Sequence, residues 1–326
     1  MGQISVYLNP KASQSSYNFE IQEIKKFFFR HDLNFYTPTS EENLIENVKR
    51  DKTAGVDCIF SIGGDGTAHT IAQHLIGGST KLLVLPGGTA NDLASELGTN
   101  SSLKKLAHIF NAKTTKRVDI IQVNGRFLMT NGGIGIAHEV AQQVNTYRKK
   151  STLFNGFLKG VGKNAYSMLF IKHLMSARFN LHHVQIDSPD FPLSNNQIKS
   201  PLILINNQPM LAGKFPVAPE TKNNDGTFNV TIFLHTNRLE FIKTATQFLQ
   251  GKYPEDDKNL ISFETNSLKM KSLSHEKLHF FGDGENFAPT EEIEVGIIPK
   301  GLEVYSHHDD VILCTGYSLD QIPPIQ

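Results

Sequence analysis

The sequence predicts an α/β N-terminal domain, an open and mainly parallel sheet with helices on both faces, followed by a mostly antiparallel, β-rich C-terminal domain. Three observations predict it. Through the first third, short apolar segments alternate with amphipathic ones, the β-α-β-α order of a parallel sheet. Two of the apolar segments run directly into glycine-rich loops, at Gly63-Gly64-Asp65-Gly66-Thr67 and at Pro86-Gly87-Gly88. The pattern changes at Asn124-Gly125, a type I′ hairpin signal between Val118–Val123 and Arg126–Thr130, and short strand-like runs dominate beyond it.

In chain order, Gln3–Leu8 and Leu33–Tyr36 read as strands. Tyr17, Ile21, Ile24 and Phe28 recur at helical spacing. Thr39 followed by Glu42 has capping-box spacing, and Leu44, Ile45 and Val48 give the next helix its apolar face. Asp57–Ser61 and Lys81–Leu85 read as buried strands, with a helix over Thr67–Ile76 between them and another over Ser102–Asn111. In the second part, strands are expected at Pro201–Ile205, Phe228–Phe233, Lys277–Phe281, Glu292–Ile298, Leu302–Tyr305 and Val311–Thr315. Helices are expected around 155–178 and 238–250. The first domain is set at 1–123 and the second at 124–306.

The 326 residues suit two domains, and 39% hydrophobic content supplies packed cores. The 32 basic and 32 acidic residues balance, which argues against a general nucleic-acid binder. Cys58 and Cys314 form neither a metal-ligand spacing nor a disulfide framework, so a reducing, cytoplasmic setting is expected. The opening residues lack the pattern of a signal peptide, and Val6 stands where myristoylation needs Ser or Thr. No apolar run approaches the roughly 18 residues of a spanning helix, so any membrane contact is expected from the surface.

The glycine loops carry chemistry. Without side chains, backbone N–H groups approach phosphate oxygens closely, and a helix N-terminus adds partial positive charge. Asp65 in such a loop can hold Mg²⁺ on the phosphates. Thr89 and Asn91 can hydrogen-bond a phosphate or a base, while Asn91 or Asp92 can instead cap the following helix. Adjacent loops of a parallel sheet lie at the carboxyl ends of the strands, where open α/β sheets bind ligands. Near the end, Phe281-Gly282-Asp283-Gly284-Glu285 offers two carboxylates in a turn. Beside two phosphate-type loops, such a group can accept a hydroxyl proton. Neither a Walker-A pattern nor the protein-kinase signature set is present, and Gly133-Ile134-Gly135 reads as packing.

Between Glu139 and Asp187 there is no acidic residue, while Arg148, Lys149, Lys150, Lys159, Lys163, Lys172 and Arg178 fall among apolar residues. That mixture suits docking on an anionic membrane surface, with Lys149, Lys150, Lys159 and Lys163 as contacts; an ordinary solvated helix face is the alternative. His69 and His74 read as surface or packing residues, and His182-His183 and His307-His308 lack ligand partners at metal spacing.

Gly63–Thr67, Pro86–Asp92 and Gly282–Glu285, in this order, resemble the diacylglycerol kinase catalytic-domain family, which includes sphingosine kinases and small bacterial lipid kinases. Asn9-Pro10-Lys11, Asn131–Gly135, and Ala218-Pro219 followed by Asp225-Gly226 resemble its other motifs, so the likeness covers nearly the whole chain. The resemblance implies ATP as phosphoryl donor, bound in a cleft between two domains, and Mg²⁺ as cofactor. It implies nucleotide contacts at Asn9, Thr37, Gly63–Thr67 and Thr89, Glu285 as proton acceptor, and a structural Mg²⁺ at the loop of Lys222, Asp225 and Thr227. It also implies that residues 307–326 complete the N-terminal domain. Ser13, Ser95 and Ala137 depart from the family pattern and weaken transfer of substrate identity.

The expected activity is therefore transfer of the γ-phosphate of ATP to a lipid hydroxyl, diacylglycerol-like, by Mg-assisted in-line displacement. The expected partner is a lipid at the membrane surface, with no nucleic acid, no transmembrane segment, and a homodimer left open. Two other readings stand beside it: an NAD or sugar kinase sharing the Gly63–Thr67 loop, and a non-catalytic nucleotide- or membrane-binding module.

Overall fold

A computed structural model describes residues 2–9, 21–88, 91–136, 179–211, 215–283 and 285–307. The chain divides by its contacts into two units, one drawn from Met1–Arg117 and Leu302–Gln326 and the other from Val118–Gly301. The sequence reading set its limit at the hairpin turn; the contact division falls inside two strands that carry the chain across. The helix expected over 155–178 and the strand expected at Val311–Thr315 lie outside the described residues.

In the first unit the elements are β1 (Gln3–Leu8), α1 (Ile21–Phe27), β2 (Asp32–Tyr36), α2 (Glu41–Thr53), β3 (Cys58–Gly63), α3 (Asp65–Leu75), β4 (Lys81–Pro86), α4 (Asp92–Glu96), α5 (Leu103–Asn111) and the start of β5 (Thr115–Val123). The strands lie in the order β2-β1-β3-β4, all parallel. Every residue of Cys58–Gly63 is buried, as expected of a strand covered on both faces. On one face Ile24, Phe28, Leu106 and Phe110 pack against Ile4, Val6, Phe60 and Leu85. Phe28, Phe60 and Phe110 meet edge to face with centroids 4.8–5.5 Å apart. Side chains alternate along β1, so Tyr7 points to the other face. There its hydroxyl donates to the buried Asp51 of α2 at 2.6 Å, and burial, then Asp51 itself, push the phenol well above its ordinary pKa.

The capping signal shifts by one residue. Ser40, not Thr39, is the N-cap of α2, its Oγ accepting from Asn43 N at 3.2 Å. Ser102 caps α5 in the same way.

The second unit contains β6 (Arg126–Leu128), β7 (Asn131–Gly135), β8 (His182–Asp187), β9 (Gln197–Ser200), β10 (Leu202–Asn206), β11 (Met210–Leu211), β12 (Phe215–Pro216), β13 (Phe228–Phe233), α6 (Arg238–Leu249), β14 (Leu260–Thr265), β15 (Ser267–Ser272), β16 (Phe280–Gly282), β17 (Glu285–Asn286) and most of β18 (Glu292–Tyr305). One sheet runs β14-β13-β10-β7-β16-β17, with antiparallel neighbours throughout. The other holds β18-β15-β8-β9, with β5 attached to β18 and β6 to β5. Their inner faces form one core, Ile134, Ile203, Ile205, Val230 and Ile232 from the first against Val184, Ile186, Leu268, Met270, Ile293 and Val295 from the second. This is a β-sandwich. Phe241, Ala245 and Phe248 of α6 pack against Leu202, Leu204 and Phe233 on the outer face of the first sheet.

The hairpin forms as expected. Asn124 and Gly125 have φ of 46° and 80°, and Val123 pairs with Arg126. The glycines of β7 do pack. A Cβ on Gly133 would sit 2.1 Å from the Ile203 carbonyl oxygen, and one on Gly135 would sit 2.1 Å from that of Pro201.

Two expectations change. Glu292–Ile298 and Leu302–Tyr305 are one strand, β18, because Lys300 turns into the left-handed region (φ 53°) and donates its N–H to Asp119 instead of breaking the chain direction. Lys277–Phe281 shrinks to Phe280–Gly282 plus a bridge between Leu278 and Thr290.

The loop after α6 is pinned by the buried His235 and Thr244 and the half-buried Asp257. His235 Nε2 lies 3.1 Å from Asp257 Oδ2 and 3.0 Å from Thr244 Oγ1, and Thr244 Oγ1 also donates to Asp257. Burial pushes the Asp257 carboxyl up, but Thr244, Asn259 N–H and His235 together hold it below its usual range. A lowered folded pKa contributes stability above the unfolded value, about 3.9, that is lost as pH falls through the folded one. Asp257→Asn is therefore expected to destabilise the protein at neutral pH. The gap in thermal midpoint between variant and wild type should narrow as pH drops below about 4; a gap independent of pH would contradict this account.

Candidate active site

The parallel register puts the ends of β1, β2, β3 and β4 along one edge of the sheet. Asn9, Thr37, Gly63–Thr67 and Gly87-Gly88 therefore occupy one rim. Asn9 N donates to Ile62 O at 2.9 Å, and its side-chain amide donates to Thr67 Oγ1 at 2.8 Å, tying the end of β1 to the first turn of α3. Thr37 is exposed one residue beyond β2. Thr89 lies outside the described residues.

The two glycine loops touch through their backbones. Gly87 N donates to Gly63 O at 2.8 Å. A Cβ on Gly88 would fall 2.5 Å from Gly64 Cα, and one on Gly63 would fall 2.7 Å from Thr67 Cβ. These glycines are needed for close packing. Gly66 is different: it is exposed, and an added Cβ meets nothing within 4 Å. Gly64 is the N-cap of α3 and offers no side-chain hydrogen bond to it. The first turn of α3 thus presents main-chain donors and the positive end of the helix dipole.

Two polar residues expected at the ligand are engaged within the rim. Asp65 Oδ1 accepts Leu93 N at 3.1 Å, capping α4 from the neighbouring loop. Asn91 adopts the left-handed region (φ 54°); its Oδ1 accepts Gly88 N at 2.8 Å and its Nδ2 donates to Gly88 O at 2.9 Å. Asn91 occupies the N-cap position of α4 yet closes its own loop rather than capping the helix.

In the second unit, Gly282 pairs with Glu285 across a tight turn. The two carboxylates diverge. Asp283 (φ 49°) accepts Met129 N at 2.6 Å, Thr130 N at 2.9 Å and the Thr130 hydroxyl. Glu285 is exposed on β17.

Lys222 and Asp225 are exposed, and Asp225 Oδ1 accepts both Thr227 N (3.1 Å) and Thr227 Oγ1 (2.9 Å). The loop is held from beneath by Asp119, a fully buried residue the sequence reading missed. Its Oδ2 accepts Gly226 N and its Oδ1 accepts Lys300 N, each at 2.7 Å, while its own N donates to Asn223 O. The available signal was a lone carboxylate inside the apolar run Val118–Val123. Burial, then Asp225, raises the carboxyl of nearby Glu264, and Lys222 only partly offsets this. A loop with several oxygen donors suits a hard cation such as Mg²⁺ in ligand type. Among the described residues no group of three or more His, Cys, Asp or Glu side chains forms a metal cluster, so most ligands would be carbonyls or water. Lys149, Lys150, Lys159 and Lys163 lie outside the described residues. Among those described, no helix is long and apolar enough to cross a membrane.

An α/β unit with paired glycine loops on its carboxyl rim and a β-sandwich unit define a lipid-kinase-like class of protein, and comparison with known proteins agrees. Residues 3–123 match the model of the diacylglycerol kinase catalytic domain, and residues 134–306 match that of the YegS C-terminal NAD kinase β-sandwich-like domain. The chain belongs to the diacylglycerol kinase catalytic-domain family, in its form with a YegS-type C-terminal domain. It is 24% identical over 300 residues to a diacylglycerol kinase of Bacillus subtilis, covering 90% of this chain and 94% of that one. A diacylglycerol kinase crystal structure from Bacillus anthracis superposes with a TM-score of 0.68 at 17% identity, covering 94% and 97% of the two chains; that likeness speaks for the fold. As the relatives are named kinases, the coarse class is a kinase with a nucleotide phosphoryl donor.

Because the Gly64–Gly88 contact admits no side chain, Gly88→Ala is expected to cost about 1–3 kcal/mol of stability, as overpacking does. Chemical denaturation would check this; an unchanged midpoint would mean the loops part without cost.

Proposed function

We propose that the chain is an ATP-dependent lipid kinase that moves the γ-phosphate of ATP to the hydroxyl of a diacylglycerol-like lipid. The observation that carries this reading is the carboxyl rim of the parallel sheet, where side-chain-free backbone of two touching loops opens the first turn of α3. The main-chain N–H groups of Gly64–Thr67 hold the phosphates, those of Gly64, Asp65 and Gly66 foremost, since Thr67 N already donates to Gly64 O at 3.0 Å. Asn9, Thr37 and Thr89 bind the rest of the nucleotide, and Asn91 keeps its loop in shape. Glu285 accepts the proton of the attacking hydroxyl, its exposure leaving the carboxylate accessible. Bound Mg²⁺ would supply neutralisation of charge at the phosphates. Asp65 would help to hold it, and the loop of Lys222, Asp225 and Thr227 would hold a second, structural ion. Positioning and electrostatics supply most of the rate. The lysines at 149, 150, 159 and 163 dock the protein peripherally on an anionic membrane from the cytoplasmic side. The name of the Bacillus subtilis relative supports a diacylglycerol acceptor.

A second acceptor deserves an arm of the test, because the C-terminal domain model is described as NAD kinase-like. Labelled ATP with Mg²⁺ is offered in parallel with total lipid extract, NAD and sugars. Label in the lipid phase is expected. Label in NAD or a sugar would replace the lipid reading, and nucleotide binding without transfer would leave a non-catalytic module.

Two variants probe the rim and the base. Glu285→Gln is expected to lower kcat by about 10²-fold or more, with little change in KM for ATP. Gly66→Ala is expected to keep or raise the thermal midpoint, since Ala is favoured over Gly in a helix by up to about 1 kcal/mol. It should nevertheless weaken nucleotide binding measured by calorimetry; unchanged affinity would remove Gly66 from the phosphate site.

A further inference from the structure

The exposed Glu285 leaves a turn whose conformation is dictated from elsewhere. Asp283, two residues earlier, takes three donors from one short segment: two consecutive main-chain N–H groups, of Met129 and Thr130, and the Thr130 hydroxyl. Asp283 N returns a bond to Asn131 O at 3.3 Å. Beneath the turn the backbones are as close as glycine allows. A Cβ on Gly132 would lie 2.5 Å from Phe281 O, and one on Gly282 would lie 2.5 Å from Leu128 Cδ1.

The Met129–Thr130 segment is itself immobilised. Asn207, buried, donates its N–H to Thr130 O at 2.8 Å and its side-chain amide to Met129 O at 2.8 Å. The same amide donates to Asp119 O at 2.9 Å. A continuous set of hydrogen bonds therefore joins the buried Asp119, through Asn207 and Thr130, to Asp283. A two-residue turn asks only for residues that tolerate positive φ. It does not ask for a carboxylate gripping three donors on another strand connection. A proton acceptor does need fixed geometry, because an ångström of displacement costs rate steeply.

We propose that Asp283, with the Thr130 hydroxyl, is a positioning residue that fixes the backbone from which Glu285 reaches the acceptor hydroxyl. The inference rests on the reading of Glu285 as proton acceptor. It does not touch substrate, so its signature is an effect that exists only while Glu285 is present.

The test uses the full chain, ATP with Mg²⁺, and total lipid extract as acceptor. The variants are Asp283→Asn, Thr130→Val, Thr130→Ser and Glu285→Gln, with each of the first two also combined with Glu285→Gln. Asp283→Asn and Thr130→Val are expected to lower kcat at least about tenfold while KM for ATP stays within about twofold, the pattern of a lost transition-state interaction. Thr130→Ser keeps the hydroxyl and should restore most of the rate. In the Glu285→Gln background, neither change should lower the residual rate further, because groups acting as one unit are non-additive. A merely structural clamp would instead lower the thermal midpoint and reduce the residual rate by the same factor in both backgrounds. That result, or full kcat in both Asp283→Asn and Thr130→Val, overturns the inference. If Asp283→Asn fails to fold, Thr130→Val removes a single donor and decides the matter alone. An inactive Glu285→Gln beside normal Asp283→Asn and Thr130→Val sinks only the positioning role. An active Glu285→Gln, or a wild type that labels no lipid, sinks the proton-acceptor reading and the positioning role with it.

Discussion

The contact between Gly64 and Gly88 is the constraint on which the candidate site depends. Parallel pairing of β3 with β4 brings the two strand ends side by side, and Gly87 N closes on Gly63 O. Any side chain at position 88 would push into the main chain at position 64. With the loops in contact, Asp65 reaches Leu93 N and starts α4, while Asn91 folds back on Gly88. The rim is thus a small cooperative assembly in which each loop supplies a group that completes the other. Its rigidity comes from main-chain contact and from two short polar side chains, not from an apolar cluster.

A different device organises the β-sandwich unit. Asp119 interrupts an apolar strand and is fully buried, and its carboxylate accepts the main-chain N–H groups of Gly226 and Lys300. A buried carboxylate is tolerated where such charge-assisted bonds replace water. The positive φ of Lys300 lets β18 pass this point as one strand. Asn207 then carries the same scaffold to Met129 and Thr130. The loop around Asp225 and the turn before Glu285 are consequently two ends of one hydrogen-bonded frame.

What could be read from the sequence follows from what is local. The parallel layout was legible because Ile59, Phe60, Leu83 and Leu85 stand in short apolar runs, each followed by glycines. The hairpin was legible because Asn124-Gly125 tolerates positive φ at both positions. What was missed depends on distant partners. Ser40 rather than Thr39 is the N-cap, although both have suitable side chains. Continuity of β18 past Pro299-Lys300-Gly301 depends on Asp119, far away in sequence. β15, Ser267–Ser272, buries every second side chain but carries two lysines and two serines, so its composition hides its alternation. Asn91, expected at a phosphate or base or as a cap, turns its amide to the backbone of its own loop at a φ of 54°, a conformation its residue type does not announce.

Each of the three glycine motifs divides its labour in the same manner. In the first, Asp65 caps a neighbouring helix; in the second, Asn91 closes its loop; in the third, Asp283 clamps a strand connection. One polar side chain of each motif thus has a main-chain partner already. Among the described residues of these motifs, the first turn of α3 behind Gly66 and the exposed Glu285 stay open to a ligand. Loss of activity on replacing Asp65 would therefore have two physical causes, a lost cation ligand or a lost cap on α4. Asp65→Asn separates them, because the amide oxygen can still accept from Leu93 N while the charge is gone. A variant that folds with an unaltered α4 yet loses turnover would assign the carboxylate to the reaction, and one that keeps turnover would assign it to the architecture of the rim.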